Sequence, residues 1–303
     1  MTEHHTPHEI EDHDRGLSFD MSTLIERRRL FKVFAGAGLA VAVAACGSDS
    51  KSSGTSTAAA GTDAGTASTT TAAESPSTTA APATAQASTT AASASLEPIP
   101  EETAGPYPGD GSNGVNVLTE SGIVRSDIRS SFGSSTTIAD GVPTTIKLTL
   151  VDASSGAPLP GSAVYVWHCD AAGLYSLYSQ GATNENYLRG VQEADANGSV
   201  TFTSIYPACY SGRWPHIHYE VYPSLDAATS ASNKLATSQL ALSKEASAAV
   251  YATDAYPNST RNLAQVSLAT DMVFSDGAEL ETPAITGSVE SGYTIALTAA
   301  IRT

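Results

Sequence analysis

Positive charge is scarce in this chain, with 15 Lys and Arg against 31 Asp and Glu in 303 residues. A chain with so little of it is a poor partner for nucleic acid or an anionic membrane surface. Cysteine is scarcer still: Cys46, Cys169 and Cys209 are the only three. There is no Gly-rich phosphate loop, no Gly-x-Ser-x-Gly segment and no internal repeat. The one sustained apolar run, Val33 to Ala45, falls short of the about 20 residues a bilayer-spanning helix needs.

What is present divides into three unlike stretches. Residues 1–26 are polar and hold the four histidines at 4, 5, 8 and 13. Arg27-Arg28-Arg29-Leu30-Phe31-Lys32 follows, then the apolar run and Val43-Ala44-Ala45-Cys46. A basic region, a short apolar region and small residues in that order read as an export signal over 1–45. The arginines are similar to a twin-arginine signal, and Val-Ala-Ala-Cys resembles a bacterial lipobox, which would make Cys46 the lipidated first residue. Those four histidines would be lost with the signal. Removing 1–45 takes 5 basic and 7 acidic side chains and leaves 10 and 24, a net charge of −14. From 46 to 96 the chain is Ser, Thr, Ala and Gly with scattered Pro, a single Leu and no aromatics. Such a segment cannot offset its chain entropy and reads as a disordered linker, a tether between lipid and domain. The expected location is outside the cytoplasm, with membrane contact only through the lipid at Cys46.

The globular domain is expected over 97–303. Ile146, Leu148 and Leu150 alternate with polar residues as on a half-buried strand. Residues 163–168, 199–205 and 216–222 are rich in β-formers, and Asp195-Ala-Asn-Gly is a hairpin signal. Between Asp226 and Ala252 the Ala, Leu and Ser content suggests one or two short helices; strands close the chain over 285–289 and 293–301. The class expected is mainly β, a β-sandwich with a short helical excursion.

The chemistry concentrates between Phe202 and Tyr222. His216 and His218 stand at i, i+2, so a strand would aim both at one centre. Tyr210 precedes them across Ser-Gly, with Arg213 between. Imidazole nitrogen and phenolate oxygen suit a hard Lewis-acidic ion such as ferric iron. On residues alone, the pair is also consistent with ordinary strand side chains or with a zinc or copper site.

Taken with Val166-Trp-His-Cys-Asp-Ala-Ala-Gly-Leu-Tyr-Ser, this stretch resembles the intradiol ring-cleavage dioxygenases, which act on catechol, hydroxyquinol or protocatechuate. The resemblance covers most of 98–303, and Arg213-Trp-Pro-His-Ile-His is its specific block. Glu102-Thr-Ala-Gly-Pro-Tyr and Asn186-Tyr-Leu-Arg-Gly add to it, and Asn262-Leu-Ala-Gln-Val-Ser and Asp271-Met-Val-Phe-Ser-Asp-Gly point to an extracellular branch. The resemblance implies a mononuclear non-haem Fe(III) held by Tyr175, Tyr210, His216 and His218. It implies O2 and a catechol-type substrate, opened between its hydroxyl-bearing carbons to a cis,cis-muconate. By position, Tyr175 matches the tyrosine that stays on iron, and Tyr210 the one that substrate displaces. Arg213 matches an arginine beside the substrate ring, and Tyr107 a pocket-lining position. Dimers are frequent in that family, so a homodimer is consistent with it.

Some assignments stay open at this level. Tyr206 rivals Tyr210 because the segment before His216 is short. Cys169 and Cys209, each close in sequence to a tyrosine of the set, could form a disulfide bracing the site or be two buried thiols. Arg189 could shape the pocket or make a structural salt bridge, and His168 reads as a hydrogen-bonded strand residue. The alternative function is a lipid-tethered, non-enzymatic surface binding module of immunoglobulin-like fold.

Overall fold

The computed structural model describes residues 95–303. The expected signal over 1–45, the lipidation at Cys46 and nearly all of the 46–96 linker lie outside the described residues.

Two four-stranded sheets face each other. Strands β1 (Pro143–Asp152), β4 (Ser199–Ile205), β7 (Ala284–Ser288) and β8 (Gly292–Ile301) form one, in the order β4-β1-β8-β7. The pair β1–β8 is parallel and the other pairs are antiparallel. Strands β2 (Ala163–Trp167), β3 (Arg189–Glu193), β5 (His216–Tyr222) and β6 (Ala236–Ala241) form the second, antiparallel throughout, in the order β3-β2-β5-β6. The expected β-sandwich is therefore the fold.

The strands form where alternation or full burial favours them. In β1, Ile146, Leu148 and Leu150 are wholly buried while Thr145 and Thr149 are half-buried and Lys147 is exposed, giving one inner face. Strand β5 is buried at all seven positions. One of its faces (Ile217, Tyr219, Val221) joins the core, and the other (His216, His218, Glu220, Tyr222) is roofed by loops. That doubly covered sheet carries the chemistry.

Loops close the sheet edges. Residues 123–128 bond to β3 through Val191 and to β4 through Thr203, so one segment clips an edge of each sheet. The entering chain crosses the sandwich as a strap: Leu96 N donates to Ala153 O, Ile99 N to Ala300 O and Glu102 N to Thr237 O.

The stretch 226–252 holds the short helices expected there, but it also holds a strand that was not expected. That strand, Ala236–Ala241, is β6, fully buried and paired with β5. The Ala-Thr-Ser-Gln-Leu-Ala composition hides it, because a strand covered on both faces shows no alternation. Only α1 (Lys244–Tyr251) and the 3-10 turn at Ala231–Asn233 are helical there, and α2 (Ser259–Leu263) lies beyond it. The turn at Asp195–Gly198 exists, but it joins strands of different sheets and makes no hairpin. Gly198, at φ +75°, sits against β1, where a Cβ would lie 2.3 Å from Leu150 O, and this contact steers β4 onto the β1 edge. No helix among the described residues is long and apolar enough to cross a membrane.

Candidate metal centre

Strand β5 sets the two imidazoles side by side, as period-2 geometry requires. His216 Nδ1 lies 2.6 Å from Trp214 O, an atom that can only accept, so Nδ1 carries the proton and Nε2 presents its lone pair. Around that Nε2 stand His218 Nε2 at 3.1 Å, Tyr210 Oη at 3.2 Å and Tyr175 Oη at 3.5 Å. The ring of His218 is held from behind by Trp167, its cross-strand neighbour, stacked at 4.9 Å and 6°.

Loops bring in the phenols. Tyr175 follows a turn organised by Asp170, whose Oδ1 accepts from Ala172 N and Leu174 N. Two residues on, Leu177 takes φ +73°, a conformation costly for a side chain with a Cβ and of a kind that clusters at functional sites. Tyr210 is set by α2: Ser259 Oγ accepts from Cys209 N, and Asn262 Nδ2 donates to Cys209 O. The Ser-Gly after it turns with Gly212 at φ +83°.

Burial dominates the electrostatics. It holds both imidazoles well below the usual histidine range, and the Arg213 charge adds to this. It lifts the Tyr175 phenol well above 10 and the Tyr210 phenol to about 12, with Arg213 opposing the rise in each. Without a cation, four neutral donors face one point.

That donor set fits a metal ion. Ligands about 2.1 Å from a shared ion are roughly 3.0 Å apart at right angles and 3.6 Å apart at 120°, and the observed separations of 3.1–3.5 Å lie in that interval. Among the described residues no cluster of three or more His, Cys, Asp or Glu gathers as a metal site. The two imidazoles are completed by phenols instead, as a hard and strongly charged ion prefers.

The remaining candidates sort cleanly. Tyr206, the rival of Tyr210, is buried elsewhere, with its hydroxyl 2.9 Å from Ser247 Oγ and its ring against Tyr251 and Tyr293. His168 is hydrogen-bonded as expected, to Cys169 O and Ser204 Oγ, but it lies one residue past the end of β2. The Tyr107 ring lies 5.1 Å from that of Tyr175 and forms one wall. Cys169 and Cys209 are not bridged: both are buried free thiols. The Cys169 thiol points at Ala208 O and that of Cys209 at Arg213 O; burial pushes Cys209 up to about 12 and Cys169 higher still. Arg189 forms no salt bridge among the described residues. Its five N–H groups go to Tyr107 O, Pro108 O, Tyr165 Oη, Ser176 O and Ser176 Oγ.

Arg213 is buried, its Nε 2.9 Å from Asp271 Oδ2 and an Nη 2.8 Å from Gln239 Oε1. Burial works against its charge, but Tyr210 and Asp271 outweigh that and its pKa is raised. Gln239 pairs with His218 across the sheet and donates to Thr103 O. Just after Thr103, Gly105 passes so close that a Cβ there would lie 3.4 Å from His218 Cε1. Sequence reasoning gave Gln239 and Asp271 no role. Gln239 was hidden in the strand that was not expected, and the only signal for Asp271 was the similarity of 271–277 to the extracellular branch.

Residues 130–244 match a family model described as dioxygenase, a span that includes both tyrosines, both histidines and Arg213. Among solved structures, an intradiol ring-cleavage dioxygenase from Tetranychus urticae is 25% identical, with a TM-score of 0.53; the match covers 69% of this chain and 95% of that one. Hydroxyquinol 1,2-dioxygenase from Pseudomonas putida DLL-E4 also matches, at 15% identity and a TM-score of 0.43, over 69% of this chain and 68% of that one. No curated protein matches the sequence.

Proposed function

We propose that this chain is an intradiol ring-cleavage dioxygenase, an exported, ferric-iron enzyme that opens a catechol-type ring with O2 to a cis,cis-muconate-type product; the family match over 130–244 and the similarity to the Tetranychus urticae enzyme support the reading. Intradiol dioxygenases are generally non-haem Fe(III) enzymes. The observation that carries the reading here is the convergence of four donor atoms on spacings that one ion can share.

In this reading Tyr175, Tyr210, His216 and His218 hold the iron. A ferric ion held there would supply Lewis acidity toward a catechol-type substrate. The protein's own groups do the rest. His216 is held to one tautomer by Trp214 O, and His218 to one ring plane by Trp167. Tyr210, half-buried beside a glycine turn, is the ligand free to swing aside, and its oxygen receives a catechol proton. Arg213, fixed between Asp271 and Gln239, offers a cation for negative charge that develops on the ring. Tyr107 walls the substrate side and helps exclude water.

The N-terminal sequence supports export and a lipid anchor at Cys46. The Arg27–Arg29 run, the apolar stretch and Val-Ala-Ala-Cys carry that part, and mass spectrometry of the membrane-extracted protein tests it.

For the reaction, full-length protein is assayed for iron, for a visible tyrosinate-to-iron band, and for O2 uptake with catechol. Iron, a band that shifts on anaerobic catechol addition, and one O2 consumed per ring opened are expected. Protein that stays colourless after ferric reconstitution and consumes no O2 with any catechol overturns the reading.

A further inference from the structure

Asp271 lies far along the chain from the metal-centre residues and beyond the span of the family match, yet it is wholly buried beside them. Its carboxylate takes four donors. Oδ2 accepts from Arg213 Nε at 2.9 Å and from Trp214 N at 2.6 Å, while Oδ1 accepts from Val273 N at 2.8 Å and Phe274 N at 3.2 Å. Two donors belong to its own turn. The other two belong to consecutive residues that lead into β5.

Those two contacts have different consequences. The first fixes the guanidinium of Arg213, a side chain with many rotamers to lose. Gln239 holds the same guanidinium at another nitrogen, and the Phe274 ring lies 5.9 Å from its central carbon. The second holds the backbone N–H of Trp214, the residue whose carbonyl, in the next peptide group, accepts the Nδ1 proton of His216. A single carboxylate thus orients the cation beside the ring and anchors the residue whose carbonyl sets a ligand's tautomer.

We propose that Asp271 is the positioning residue of this site, acting through Arg213 on the reacting ring and through Trp214 on His216. The proposal rests on the reading of the site given above. It assigns a task to Asp271, which opens the 271–277 segment. Its carboxylate is built as a site feature, since a buried charge is retained only where its partners compensate it fully.

The test is a double-mutant cycle on the iron-loaded, full-length protein. Asp271→Asn keeps the shape and removes the charge, and Arg213→Lys keeps the charge and removes the fork. Misplacement of about 1 Å at a reacting site costs on the order of 100-fold. We therefore expect kcat to fall about 100-fold in Arg213→Lys and roughly 30-fold in Asp271→Asn, with KM for catechol little changed. Per bound iron, the double variant is expected to be no slower than Arg213→Lys alone, because Asp271 acts on the ring through Arg213. A second readout does not involve turnover: competition with a chelator should show Asp271→Asn releasing iron more readily through the freed Trp214 backbone, whereas Arg213→Lys should not. If Asp271→Asn does not fold, Asp271→Glu keeps the charge one methylene away, and the same kcat loss with unchanged KM is expected. Additive losses in the cycle, or unchanged kcat in the folded Asp271 variant, overturn the proposal alone. A parent protein that binds no iron and opens no catechol ring overturns the site reading and this proposal with it.

Discussion

Two arginines are buried on either side of the same cluster, and their surroundings differ in kind. Arg189 spends all five N–H groups on neutral oxygens of the Tyr107–Pro108 segment, Tyr165 and Ser176. Arg213 meets a carboxylate and an amide and lies beside two phenols. A guanidinium saturated by carbonyls has nothing left to offer a substrate, so Arg189 is a brace that pins the Tyr107 wall to the loop after Tyr175. Among the described residues, Arg213 is held at two of its three nitrogens, Nε by Asp271 and one Nη by Gln239. Its remaining N–H groups stay available, and its charge bears on both tyrosines of the set. The lesson is that burial does not separate structural from chemical cations; the saturation of the donors does.

The comparison can be broken by substitution. The largest effect is expected at the brace. Arg189→Met strands several buried acceptors, and a loss of about 3–5 kcal/mol in denaturant unfolding is expected. Turnover per bound iron should stay within about threefold in whatever folds. Arg213→Lys should do the reverse, with kcat about 100-fold lower and a small change in stability. If Arg189→Met slows turnover per iron as much as Arg213→Lys does, the distinction fails.

A tyrosine pair sharpens it at a smaller scale. Tyr206→Phe removes a buried hydroxyl that meets Ser247 and is expected to cost about 1 kcal/mol, with the visible band of the ferric protein unchanged. Tyr210→Phe is expected to alter that band. A spectral change in Tyr206→Phe instead would return the ligand role to Tyr206.

The last test concerns a buried acid with no cation beside it among the described residues. Glu281 is fully buried with Oε2 unpartnered; burial, with Glu102 adding to it, pushes its carboxyl up from 4.5 to about 8. Because the folded value is the higher one, Glu281 supports the fold fully below pH 4.5, and that support is lost as pH rises toward 8. Melting temperature should therefore fall gently across that window, and Glu281→Gln should flatten the slope. An unchanged slope in Glu281→Gln would show that other groups set it.

Much of this was legible in the sequence for reasons that can be named. The His-x-His spacing converts directly into a shared face, because strand periodicity is local, and the alternation of Ile146, Leu148 and Leu150 marked β1 for the same reason. What escaped was non-local. Strand β6, covered on both faces, shows no alternation that would mark it until β5 is beside it. Gln239 and Asp271 acquire their roles only by pairing with residues 26 and 58 positions away. The cysteines show the limit from the other side: they are close in sequence to the tyrosines of the set, yet each thiol turns to a main-chain carbonyl.

The parallel pairing of β1 with β8 has a kinetic consequence. Thr144 must wait for Tyr293, roughly 150 residues downstream, before its sheet can close, and pairings across such separations fold on the slow side, over about milliseconds to seconds. The strap that lays Gly105 against His218 is itself pinned by Ile99 to Ala300 in that late strand. On a ribosome, the wall of the site is made early and has nothing to stand against until nearly the whole domain has emerged. Assembly of the centre is thus a late event of folding, and until then the edges of β1 and β4 are open to wrong partners.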